Sequence, residues 1–125
     1  MKAKCKINNL LNLPNDKTLD QIKRYIQLSD GRLDLDVGVE YKVYGVLFRD
    51  NSPWYYLCTD SDGLSPSPYP SELFEISDAR LPTYWRFSKR GVVAFEEWAN
   101  DETFIERLIE KDPDAIRIFK SYQQI

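Results

Sequence analysis

Val39-Glu40-Tyr41-Lys42-Val43-Tyr44-Gly45-Val46-Leu47-Phe48 is the stretch that decides the fold. It alternates with a period of two, so Tyr41, Val43, Gly45 and Leu47 fall on one side of a strand and Lys42, Tyr44, Val46 and Phe48 on the other. Both sides are largely apolar or aromatic, which predicts a central strand. Gly45 brings no side chain to a strand interior. The expected reason is a bend, or room for an aromatic ring from a neighbour. Arg49-Asp50-Asn51-Ser52 then reads as a turn, and Pro53-Trp54-Tyr55-Tyr56-Leu57-Cys58 as the returning strand of a hairpin.

Downstream of the hairpin, residues 59–68 form a polar loop with Asp60, Asp62, Gly63 and Pro66. Tyr69-Pro70 is extended, because proline pushes the preceding residue out of the helical region. Residues 72–76 read as a third strand, and Arg80-Leu81-Pro82 as the start of a further extended segment through Tyr84-Trp85-Arg86-Phe87. Lys89-Arg90-Gly91 is a turn before Val92-Val93-Ala94-Phe95. One helical turn over residues 95–99 plants Trp98. Helices follow over residues 102–111, capped by Asn100 or Asp101, and from Asp112-Pro113 onward, where proline sits harmlessly at the first helical position.

Upstream, Leu33, Leu35 and Val37 alternate with Asp34 and Asp36, and Gly38 marks a turn or bulge. Residues 1–30 read as an N-terminal helical segment, with a helix over 16–28, a cap at Asn15 or Asp16 and an end at Ser29-Asp30-Gly31. The expectation is one α+β domain over residues 1–125. Residues 33–95 form a small, strongly bent antiparallel sheet in the manner of an SH3-like partly open barrel. Residues 1–30 and 96–125 flank it as N- and C-terminal helices.

With 125 residues, 42% of them apolar and 14% aromatic, the chain suffices for one ordered core. The net charge of −3 gives no general attraction to nucleic acid or anionic membrane. The distribution is uneven. Residues 1–29 hold six bases against two acids, residues 30–79 ten acids against three bases, and residues 80–125 eight of each. Arg80, Arg86, Lys89 and Arg90 form a basic run. No apolar stretch suits a signal peptide or a membrane span, so the expected compartment is the cytoplasm.

The chain contains no histidine and two cysteines, Cys5 and Cys58. Serine–histidine and cysteine–histidine nucleophiles are therefore excluded, as are histidine-based zinc sites. No phosphate-binding glycine loop or dinucleotide fingerprint is present. Asp60-Ser61-Asp62-Gly63 starts like a calcium loop, but Tyr69 stands where the closing glutamate is needed. No cofactor or metal is expected. Glu72, Glu75 and Asp78 leave a carboxylate hydrolase as one alternative. The basic run leaves a nucleic-acid-binding or regulatory module as another.

Exposed tyrosine, tryptophan and arginine anchor protein interfaces. The candidate partner-binding residues are Trp54, Tyr56, Tyr84, Trp85 and Arg86, with the acids Asp60, Asp62, Glu72, Glu75 and Asp78 around them. The segments Tyr41-Lys42-Val43-Tyr44-Gly45, Pro53-Trp54-Tyr55-Tyr56, Pro70-Ser71-Glu72-Leu73-Phe74-Glu75 and Phe95-Glu96-Glu97-Trp98 resemble those of small bacterial single-domain proteins. Some of these resemble immunity proteins encoded beside secreted toxins. The resemblance spans roughly residues 35–120 and brings no catalytic residue with it. It implies a non-enzymatic protein-binding module in a bacterial cytoplasm, with a toxin domain as partner. The acidic middle suits a basic one. Nucleic acid is not an expected partner, and oligomeric state is open.

Overall fold

The computed structural model describes residues 1–13, 20, 23 and 33–125. The helix expected over 16–28, with its cap and its end, lies outside the described residues apart from Asp20 and Lys23, which are helical and exposed. The strands are β1 (Lys2–Cys5), β2 (Glu40–Lys42), β3 (Gly45–Arg49), β4 (Ser52–Leu57), β5 (Ser67–Pro70), β6 (Phe74–Asp78), β7 (Trp85–Phe87) and β8 (Val92–Phe95). The helices are α1 (Glu96–Ala99), α2 (Phe104–Ile109) and α3 (Pro113–Gln123). The fold is α+β. Its strands form two open antiparallel sheets, ordered β2-β1-β6 and β5-β4-β3-β8-β7, with no closed barrel among the described residues.

The long strand read over residues 40–48 is two strands in two sheets. It breaks at Val43 and Tyr44, so β2 pairs with β1 while β3 pairs with β4 and β8. The backbone groups at the break remain bonded, Val43 N–H to Met1 O and Tyr44 N–H to Tyr56 O. This crossing satisfies the polar backbone while letting one segment feed two layers. Residues 2–5, read as part of the helical segment, instead form the central strand of the small sheet. Their pattern is strand-like: Ala3 and Cys5 are fully buried, and Lys2 and Lys4 are exposed.

The β3–β4 hairpin turns through two residues, Asp50 and Asn51, both with positive φ (52° and 58°). This is the twist-matched hairpin geometry, here built without glycine from residue types that tolerate the left-handed region. The third strand begins later than expected. Ser71–Leu73 makes a 3-10 turn and Phe74 starts β6. The segment expected from Arg80 onward shortens to Trp85–Phe87, because Trp85 N–H bonds back to Pro82 O in a turn.

Two clusters of buried side chains cover the two faces of the five-stranded sheet. Val46, Tyr55, Leu57 and Tyr69 on one face pack with Ala3 and Cys5 of the small sheet, and with Leu10, Leu33 and Leu35. On the other face, Phe95, Trp98, Phe104, Leu108, Ala115 and Phe119 gather with Tyr44, Leu47 and Tyr56. Phe95 is central there, edge-on to Phe104 at 5.2 Å and stacked on Tyr122 at 4.2 Å.

The expected helix over 102–111 is the shorter Phe104–Ile109. Asp101 Oδ1 still accepts from Thr103 N–H at 2.9 Å just before it. Pro113 stands in the first turn of α3 as anticipated, and Asp112 caps it, accepting from Asp114 N–H. Arg107 bonds Asp101 at 2.8 Å and Asp112 at 2.7 Å, tying both ends of α2 together. Lys111, at φ 64°, makes the tight corner into α3.

Gly45 provides the room expected of it. A Cβ there would stand 3.1 Å from Trp98 Cη2, 3.2 Å from Trp98 Cζ3 and 3.3 Å from the Ala94 Cβ. Strand propensity favours alanine, yet an extra methyl in a packed core costs about 1–3 kcal/mol. Gly45→Ala is therefore expected to lower stability within that range in urea denaturation. A neutral or stabilising result would mean that the indole shifts freely.

Candidate functional site

The aromatic candidates are mostly core. Trp54 is 2% exposed, with the Arg49 guanidinium 3.9 Å from its ring centroid. Trp85 is buried, and half-buried Tyr56 meets Trp98 edge-on at 4.8 Å. Half-buried Tyr84 packs on Tyr122 at 4.9 Å. Of the five, only Arg86 is exposed, and its guanidinium donates to Thr83 O and Trp85 O. The exposed-ring expectation fails at Trp54 and Trp85 for a physical reason. Each sits on an inward position of its strand, where a large ring fills a thin core.

The acidic candidates do not converge. Asp60 accepts from Leu64 N–H and Ser65 N–H within its own loop. Asp62 stands 3.6 Å from Lys111, and Glu72 accepts from Ser52 Oγ at 3.2 Å. Glu75 pairs with Lys6 at 3.3 Å. Asp78 holds Arg80 through two bonds, of 3.0 and 2.8 Å, which keep its carboxyl well below the usual range. A two-carboxylate hydrolysis needs two acids facing one scissile bond, and these acids face separate partners. Cys58 offers no nucleophile near neutral pH, since burial first and Asp60 second push its thiol up to about 12. Among the described residues no group of three or more acids and thiols could hold a metal ion, and no helix is long and apolar enough to cross a membrane.

Topology also offsets part of the charge asymmetry of the sequence. Central β1 carries Lys2 and Lys4, with Lys6 just beyond it, between β2 and β6 from the acidic middle. Lys4 stands opposite both Glu40 and Glu75, and Lys2 opposite Asp78. The outer face of the small sheet is thus a mixed-charge lattice, not an acidic patch. The basic run is dispersed as well. Arg80 lies on Asp78, Arg86 on backbone, and Arg90 donates to Trp98 O and Ala99 O at the end of α1.

What remains is an apolar area on the outer part of the five-stranded sheet. Phe48, Leu81 and Phe87 are 51%, 61% and 77% exposed. Register places Phe87 opposite Val93 and Val93 opposite Val46, so these side chains share one face across β7, β8 and β3. They adjoin a depression of about 240 Å³ lined by Val46, Tyr55, Trp85 and Val93, with Phe48, Pro53 and Leu81 around them. A single exposed apolar side chain is ordinary, but a contiguous group around a depression marks a binding surface. Phe48 and Phe87 were not among the sequence candidates. Their signal is positional: each is the outermost aromatic of its strand, beside a polar turn.

No family model, curated protein or solved structure matches the chain.

Proposed function

We propose that this protein is a non-enzymatic protein-binding module that docks its partner on the face formed by Phe48, Leu81 and Phe87. The observation that carries this reading is the exposure of three large apolar side chains, Phe48 and Leu81 lining an apolar well and Phe87 opposite its Val93, on a sheet backed by the helices. The bent sheet, read from the sequence as a partly open SH3-like barrel, serves here as the platform. Within this reading the immunity-protein role is the specific form: the partner is a toxin domain, neutralised by covering a surface it needs.

Charge selects the partner's chemistry. Around the cleft that adjoins this face stand Lys2, Lys42 and Arg80 against Asp78, with Glu40 3.6 Å from Lys2. Cations on this rim oppose a second copy of the chain and favour a segment with an apolar anchor and acidic flanks.

The test is reconstitution with the protein encoded beside this one, measured by calorimetry. Phe87→Ala is expected to weaken the complex at least ten-fold, in keeping with the hot-spot behaviour of central aromatics, while leaving the melting temperature unchanged. Failure to associate, or binding indifferent to Phe87→Ala and Leu81→Ala, would sink the proposal.

A further inference from the structure

The apolar well does not stand by itself. Met1 and Leu81 line it and also line a second cleft of about 450 Å³. The chemistry changes across that shared wall. The well is walled by Val46, Phe48, Pro53, Trp85 and Val93, whereas the cleft contains Lys2, Lys42 and Arg80 against one acid, Asp78. Thr83 and Tyr84 add hydroxyls to it.

Lys42 is placed there by the break between β2 and β3, which turns its side chain toward the end of α3. Its ammonium donates to the backbone oxygens of Tyr122 (3.3 Å), Gln123 (3.1 Å) and Ile125 (3.2 Å). Lys2 stands 3.6 Å from Glu40, with both side chains about half exposed, so solvent weakens that pair. Arg80, 89% exposed beyond its contact with Asp78, lines the cleft as it stands. The pair of depressions is therefore amphipathic, apolar on one side of Leu81 and cationic on the other.

On the docking reading above, we infer that the partner's contact segment is extended and bipartite, with a bulky apolar side chain in the well and a carboxylate in the Lys2–Lys42–Arg80 cleft. In an extended chain, side chains two residues apart lie on the same face about 6.5–7 Å from each other. That spacing suits two depressions with a common wall. The apolar anchor supplies affinity by desolvation, and the carboxylate supplies selectivity and register.

The experiment uses the full chain, isotope-labelled, titrated with acetylated and amidated peptides in a glycine–serine frame. Each carries Phe, and two residues later Asp, Asn or Lys. Backbone shifts are followed at Val46, Leu81, Trp85 and Val93 for the well and at Lys2, Lys42 and Tyr84 for the cleft. The Asp peptide is expected to bind several-fold more tightly than the Asn peptide, with the Lys peptide weakest. High salt and Arg80→Gln should collapse that order. Lys2→Gln, also at an exposed position, provides a second variant that spares the core. Equal affinity for the Asp and Asn peptides, with shifts confined to the well, overturns the carboxylate inference and leaves the docking face standing. No shift with any peptide overturns it too, and the docking face is then judged on the Phe87→Ala complex alone.

Discussion

Trp98→Ala should cost about 3–5 kcal/mol, the range for removing a large buried aromatic, and should bring this domain close to its unfolding threshold. Domains of this size have only about 5–15 kcal/mol to lose. Trp98 is 2% exposed and stands at the meeting point of the sheet and the helices. Its indole lies over Gly45, meets Tyr56 at 4.8 Å and Phe95 at 5.7 Å, and stacks on Phe104 at 6.4 Å. Collapse cannot fill the cavity, because the surrounding rings are themselves held by the sheet and by the α2–α3 corner. Urea denaturation measures the loss, and Trp98→Phe should recover part of it. A loss below about 1 kcal/mol would show that the ring is not the hub of this cluster.

Alkaline pH should destabilise the protein strongly, through many small contributions acting in one direction. Burial raises the phenols of Tyr44, Tyr55, Tyr56, Tyr69 and Tyr84 above their ordinary value of 10.0. It raises Tyr122 up to about 12, helped by its hydrogen bond to Glu97. The thiol of Cys5 moves up as well, and that of Cys58 reaches about 12 from an ordinary 9.0. Each group is neutral when protonated and holds its proton more firmly in the folded state. The stabilisation from protonation is complete below pH 9 and is lost as pH rises through the 9–12 window. The absorbance of these six tyrosinates should therefore appear late and together with loss of the native circular dichroism signal, in one transition. Ordinary titration of these six tyrosines in a protein that stays folded would contradict this packing.

Much of the fold was legible in local pattern. The hairpin, the turn at Gly91, the helical turn that plants Trp98 and the Asp112-Pro113 start of α3 all appear where residue chemistry puts them. Even the use of Gly45 as space for a ring could be anticipated, because a glycine within a strand otherwise only weakens it. The break at Val43 and Tyr44 was not legible. Alternation continues through it without interruption, and nothing local says that the two halves pair with different sheets. Strand β1 was missed for the opposite reason. Its Lys-Ala-Lys-Cys alternation is a fair strand signal, but with only Ala3 and Cys5 facing inward it carries little apolar weight.

By itself, the sequence determined most element types from Glu40 onward, the aromatic composition of the core and the exclusion of histidine-dependent chemistry. These depend on residue identity and on neighbours a few positions away. Tertiary structure decided which aromatics are exposed and where charge remains. Exposure depends on what covers a face, so Trp54 and Trp85 went inside while Phe48 and Phe87 stayed out. Net local charge depends on which strands pair. Placing β1 between β2 and β6 brought the lysines of one end against acids of the middle, 36 or more residues away in sequence, and so offset part of the acidic excess that composition suggested.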